Sequence, residues 1–176
     1  MSQIKVKAGK HVYKAIKDGS FNLNSISSYF GAATGPRWLL ASGFDQTMLK
    51  GGYLGRSRAV NLIGASAGAW RFAAWTQPQA LQSYQRLLEG YVNTRYYRKD
   101  TPQSVLEKFR DLIDDYLEDD ALPFALNNKK YRLAIIAARA RHRILGARQP
   151  GKPLRHFRQQ RIGRSVAQGT DHIFEP

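Results

Sequence analysis

A chain of 176 residues, 43% of them hydrophobic and 11% aromatic, carries enough apolar material for one domain with a real core, which argues against a disordered protein. It has no cysteine, so disulfide frameworks, zinc-thiolate sites and thiol nucleophiles are excluded, as suits a reducing compartment. The net charge of +15 is concentrated late in the chain, and the first 120 residues hold 16 basic against 11 acidic side chains.

From the N-terminus, Val12, Ala15 and Ile16 recur at helical spacing between His11 and Lys17, and Asp18-Gly19 closes a short helix as a turn. Ser25 to Phe30 has β-compatible residues without helical period and predicts the first core strand, which runs into the small-residue loop Gly31-Ala32-Ala33-Thr34-Gly35. Pro36 suits the first position of a helix because it has no N–H to leave unpaired. Trp38, Leu39, Ala41, Ser42, Phe44 and Met48 make that helix amphipathic, and Lys50-Gly51-Gly52 ends it.

A polar connection through Arg56 and Arg58 leads to a second strand, Ala59 to Gly64, then a sharp turn and a helix from Ala67 to Trp75 with a stripe at Trp70, Ala73 and Ala74. Two successive strand-loop-helix units predict an α/β fold: three layers, a mostly parallel central sheet with flanking helices. Pro78 opens a helix with Leu81, Tyr84, Leu87, Leu88, Tyr91 and Val92 on one face. Thr101 caps another, with Val105, Leu106, Phe109, Leu112, Ile113, Tyr116 and Leu117 on its apolar side. Asp114, Asp115, Glu118, Asp119 and Asp120 lie mostly off that face, as a solvated surface does. Leu133 to Ala138 is a continuous apolar run, the pattern of a third strand buried on both faces.

The chemistry centres on Gly64-Ala65-Ser66-Ala67-Gly68, a G-x-S-x-G sequence at the predicted strand-to-helix turn. Such a turn exposes the Ser66 hydroxyl, and Gly64 and Gly68 occupy places where a Cβ would clash as the chain reverses. Acyl transfer through serine needs the hydroxyl, a base for its proton, and donors for the oxyanion. The N–H of Ala67 and the loop Gly31 to Gly35 supply the donors if the two strands are neighbours. A phosphate cradle is the competing reading of that loop, but it lacks the Lys-Ser/Thr pair of a P-loop and the full G-x-G-x-x-G spacing.

Gly31-Ala32-Ala33-Thr34-Gly35-Pro36-Arg37-Trp38-Leu39, followed by Gly64-Ala65-Ser66-Ala67-Gly68-Ala69-Trp70-Arg71-Phe72, resembles the patatin-like phospholipase family, in particular bacterial members with a G-A-x-G-G-P-K-W loop. The likeness covers about residues 10 to 138. It implies a serine lipid acyl hydrolase without metal or other cofactor, acting on a lipid acyl ester, with Ser66 as nucleophile. It also implies that Gly31, Ala32, Ala33, Thr34 and Gly35 form the oxyanion hole beside the elbow residues Gly64, Ala67 and Gly68. The family's base is an aspartate in a downstream D-G-G or D-G-A motif, and no such motif follows Ser66. Asp18-Gly19 precedes the serine and Asp171-His172 has no glycine after it, so the role passes to neither. A truncated or frame-disrupted member, departing from the family text at about Arg139, is the economical expectation.

Two parts are therefore expected: an α/β domain over 1–138 and a basic, weakly ordered tail over 139–176, where Pro150-Gly151-Lys152-Pro153 interrupts any element. Twelve cations from Lys129 to Arg164, with no acidic residue between Ala121 and Thr170, define the alternative function: a non-catalytic basic module on nucleic acid or an anionic membrane. No nucleic-acid motif accompanies the charge, which makes a nucleic-acid partner the weaker choice and contact with an anionic membrane surface the stronger. His142, His156 and His172 fall in the same tail and are read as surface residues. With no secretory h-region at the start and no 18-residue apolar run, a cytoplasmic location without a transmembrane segment is expected.

Overall fold

A computed structural model describes residues 7–138. The expected tail at 139–176, with its three histidines and Asp171, lies outside the described residues.

Helix α1 spans Lys10–Lys17, and the Asp18 side chain turns the chain after it by accepting the N–H and hydroxyl of Ser20 at 3.1 and 2.6 Å. The first strand begins later than expected. Asn22 Oδ1 accepts the Asn24 N–H at 2.9 Å and folds Leu23–Ser25 into a 3-10 turn, so β1 is only Ser28–Gly31. The helix expected after Pro36 starts as a 3-10 segment, Gly35–Ala41, and becomes α-helical in α2, Ser42–Gly51, before Gly52 stops it at φ 55°. Its buried side differs from the expected stripe: Trp38 and Met48 are inside, but so is Asp45, while Phe44 is exposed.

Strand β2, Val60–Ala65, leads into α3, Ala67–Trp75, followed by α4, Ala80–Asn93, and α5, Pro102–Tyr116. Thr101 and Ser104 form a reciprocal capping box at the start of α5. A short helix, α6 over Ala121–Leu126, lies where no element is expected; Pro123 sits in its first turn, where its missing N–H costs nothing. Strand β3 is Tyr131–Ile136.

The three strands form one parallel sheet in the order β1-β2-β3, with Gly31 beside Gly64 and Gly64 beside Ile135. Parallel crossovers are right-handed almost without exception, and two that advance in the same direction place their helices on one face. That face carries Tyr29, Val60, Leu62, Tyr131 and Leu133, and α3 lies across all three strands on it. Tyr29 packs its ring 5.0 Å from Phe72 and 5.6 Å from Trp75, and Trp75 reaches Tyr131 at 5.8 Å. Helix α4 covers α3, and α5 covers α4, so Tyr84, Leu87, Leu112 and Tyr116 continue the core outward.

Two expectations are corrected here. Among the described residues the other sheet face, with Phe30, Asn61, Arg132 and Ile136, carries no helix and leaves those four exposed, so the layering is sheet-on-helix on one side only. Among the described residues strand β3 is correspondingly an edge strand rather than one buried on both faces: Ile135 is 53% and Ile136 63% exposed. An unbroken apolar run does not distinguish the two cases. The acidic residues Asp114, Asp115, Asp119 and Asp120 are exposed, as a solvated surface requires.

Candidate functional site

Ser66 stands between the last residue of β2 and the first of α3, with φ 51° and ψ −124°. It is the one non-glycine residue with positive φ among the described residues. For a side chain with a Cβ this conformation costs on the order of 1–3 kcal/mol and persists only where the surroundings enforce it. What enforces it is close packing of backbone. A Cβ on Gly64 would stand 2.6 Å from the Cα and N of Ala69; one on Gly31 would stand 2.8 Å from the Phe72 ring and 2.9 Å from the Gly68 Cα. A Cβ on Gly68 would strike the carbonyl group of Gly31. Bare backbone at these three positions lets β1, β2 and α3 meet within contact distance, and the turn at Ser66 is the result.

The turn leaves Ser66 exposed, while Ala67 and Gly68 are buried behind it. Ala67 opens α3, so its N–H has no carbonyl a turn earlier within the helix and points out with the positive end of the helix dipole. The loop expected beside the elbow leaves the sheet at the same edge, since Gly31 is in register with Gly64. Gly31 is buried, Ala32, Ala33 and Thr34 are exposed, and Gly35 takes φ 53° to turn into the 3-10 segment. The N–H groups of Ala32, Ala33 and Thr34 donate to no acceptor among the described residues. The structure thus gathers all nine residues singled out in the sequence at one end of the sheet. Two surface hollows of about 460 and 420 Å³ lie elsewhere, the first bounded by Leu49, Pro78 and Lys130, the second by Asn93, Lys108 and Asp115.

Among the described residues no base is hydrogen-bonded to the serine, whose hydroxyl makes no hydrogen bond there. Nor do any three His, Asp or Glu side chains among them cluster as a metal site would require. The one buried carboxylate among the described residues is Asp45, and it is fully committed. It is 0% exposed and accepts from Arg71 Nε at 2.7 Å and Nη2 at 2.8 Å, from the Tyr84 hydroxyl at 2.7 Å and from the Tyr29 hydroxyl at 3.0 Å. Arg71 Nη2 also donates to the Tyr29 hydroxyl at 3.2 Å. Burial first, and the Asp45 charge second, push Tyr29 up to about 12 and raise Tyr84 further. Burial works against the Arg71 charge, but Asp45 outweighs it and the guanidinium is held above its ordinary value.

This four-residue cluster was missed in the sequence. A signal existed in α3, whose nine residues hold a single charged side chain flanked by Trp70 and Phe72. The buried side of that helix runs through Gly68, Arg71, Phe72 and Trp75; of the expected stripe at Trp70, Ala73 and Ala74, Ala74 is buried and the other two are half-buried. No family model matches the chain, and neither a curated protein nor a solved structure matches it. No helix among the described residues is long and apolar enough to cross a membrane.

Proposed function

We propose that this chain carries the nucleophile half of a serine lipid acyl hydrolase of the patatin-like kind, taking a lipid acyl ester at Ser66. The observation that supports the reading is the strained, exposed serine at the strand-to-helix turn, held by the approach of Gly31 to Gly68. Close packing of backbone enforces the strain, and the side chain it turns outward is a hydroxyl, as presentation of a nucleophile requires. In the reaction, Ser66 Oγ attacks the acyl carbonyl carbon, its proton passes to a base, and negative charge develops on the carbonyl oxygen. The N–H of Ala67 and those of the loop at Ala32 and Ala33 are the donors for that oxygen, and fixed donors of this kind are worth about 3–4 kcal/mol each. The ester oxygen then takes a proton and departs as alcohol, leaving the acyl group on Ser66.

General-base assistance is worth about 10²–10⁴-fold, and Asp45 cannot supply it because all its partners are fixed. The expected result is therefore slow, stoichiometric labelling of Ser66 by a fluorophosphonate, lost in Ser66→Ala, with hydrolysis of phospholipid or acyl ester near background. Absence of labelling would overturn the nucleophile assignment. Rapid Ser66-dependent turnover would overturn the assignment of a missing base and direct attention to Asp171.

A further inference from the structure

We infer that the buried Asp45–Arg71 pair, with Tyr29, is a positioning device that sets the distance between the loop after β1 and the Ser66 elbow; this rests on the nucleophile reading of Ser66. Gly68 and Arg71 are three residues apart on α3 and share a face. Gly31 and Tyr29 are two residues apart on β1 and share a face. The helix therefore meets the strand at two successive points. At the first, the backbones of Gly68 and Gly31 touch, and at the second, Arg71 donates to the Tyr29 hydroxyl.

The first contact is steric and permits sliding; the second is directional and does not. A guanidinium presents its donors in a rigid plane, and here Nε and Nη2 grip both carboxylate oxygens of Asp45. Asp45 sits on α2, the helix that follows the loop, so one carboxylate ties the segment after the loop, the strand before it and the helix after Ser66. Tyr84 adds α4 as backing on the same carboxylate. A buried ion pair is a poor source of net stability, since well-packed apolar residues do as well, but it enforces one arrangement. An arrangement is what an oxyanion site needs.

The test uses the full chain with Arg71→Lys, which keeps the charge and loses the fork, and Tyr29→Phe, which keeps the ion pair and loses the link to β1. Thr101→Ala, at the far cap of α5, serves as a control that lowers stability alone. Fluorophosphonate labelling separates two effects: loss of folded protein lowers the fraction labelled, whereas mispositioning lowers the rate constant at full final labelling. Arg71→Lys should label about ten-fold more slowly and Tyr29→Phe about three-fold more slowly, since misplacement by about 1 Å can cost about 10²-fold. Thr101→Ala should label at the wild-type rate. Amide hydrogen exchange is measured alongside at Arg37, whose N–H donates to the Thr34 carbonyl, and at Ala69 and Trp70, whose N–H groups donate to the Ser66 carbonyl at 2.9 and 3.2 Å, and should accelerate in the first two variants beyond the change in Thr101→Ala. Wild-type rate constants in both variants, or elbow exchange no faster than in the control, would overturn the inference. If wild-type Ser66 does not label, the nucleophile reading fails and the exchange comparison alone decides the positioning role.

Discussion

Replacing Gly68 by alanine tests the geometry of the elbow most directly. Gly68 is the second residue of α3, and on a helix the exchange stabilises by at most about 1 kcal/mol, because alanine loses less backbone freedom on folding. Here the new Cβ would run into the carbonyl group of Gly31 and lie 2.8 Å from its Cα, about 0.6 Å inside the 3.4 Å at which ordinary contact begins. Both partners are backbone, so no rotamer change relieves the overlap, and α3 must move away from β1. Overpacking of this kind costs about 1–3 kcal/mol, and with no side chain to give way the upper figure applies. The net expectation is a loss of about 2 kcal/mol against the helix-propensity gain, a fall in Tm of about 4–8 °C for a domain of this size. The same displacement draws Ser66 from the loop, and labelling should slow by about ten-fold or more. Thermal unfolding and fluorophosphonate kinetics on Gly68→Ala check both. A raised Tm would refute the close approach, and a lowered Tm with wild-type labelling would refute the link between that approach and the serine.

Ser66→Gly should raise stability by about 1 kcal/mol while abolishing labelling, because glycine accepts φ 51° without a Cβ penalty; an unchanged or lower Tm would show that the turn is unstrained. Thr101→Ala removes one arm of the capping box and should cost about 1 kcal/mol, read as a lower denaturant midpoint with no change in labelling rate. Leu62→Ala, in the middle strand at 0% exposure, should cost about 2–5 kcal/mol by the same assay. Stability should also fall in alkali. Burial pushes Tyr131 up to about 12, and burial together with Asp45 does the same for Tyr29, while an unfolded tyrosine ionises near 10. The folded state thus holds protons that the unfolded state has released, so this stability is complete below about pH 10 and lost as pH rises towards 12. A denaturant midpoint constant from pH 8 to 11.5 would contradict the burial of these hydroxyls.

The parts of the fold governed by local periodicity were legible. Strand β2, the helices after Ser66 and Thr101 and the parallel order all follow from spacing, breakers and the two strand-loop-helix units. The elbow was legible because G-x-S-x-G is itself a statement about where side chains cannot be. What escaped depends on tertiary partners. Asp45 and Arg71 each look solvated in isolation, and only the meeting of α2 with α3 turns them into a buried pair. Asn22 redirects the chain through one side-chain hydrogen bond, which shortens β1 without altering its composition. That the helices among the described residues lie on one sheet face follows from the direction of winding, and a pattern of apolar residues carries no record of that.

The parallel pairing has a kinetic consequence. Thirty-three positions separate Ser28 from its neighbour Asn61, and seventy-one separate Val60 from Tyr131. Closing the longer span costs only about 0.6 kcal/mol more, since loop entropy grows with the logarithm of length. Chain length alone therefore does little to delay β3. Its docking surface does more, because Tyr131 packs on Trp75, and that ring is in place only after α3 has settled on β1 and β2. The expected order of assembly is β1, β2 and α3 as a unit, with β3 joining last, so a probe at Tyr131 should report a slower refolding phase than one at Phe72.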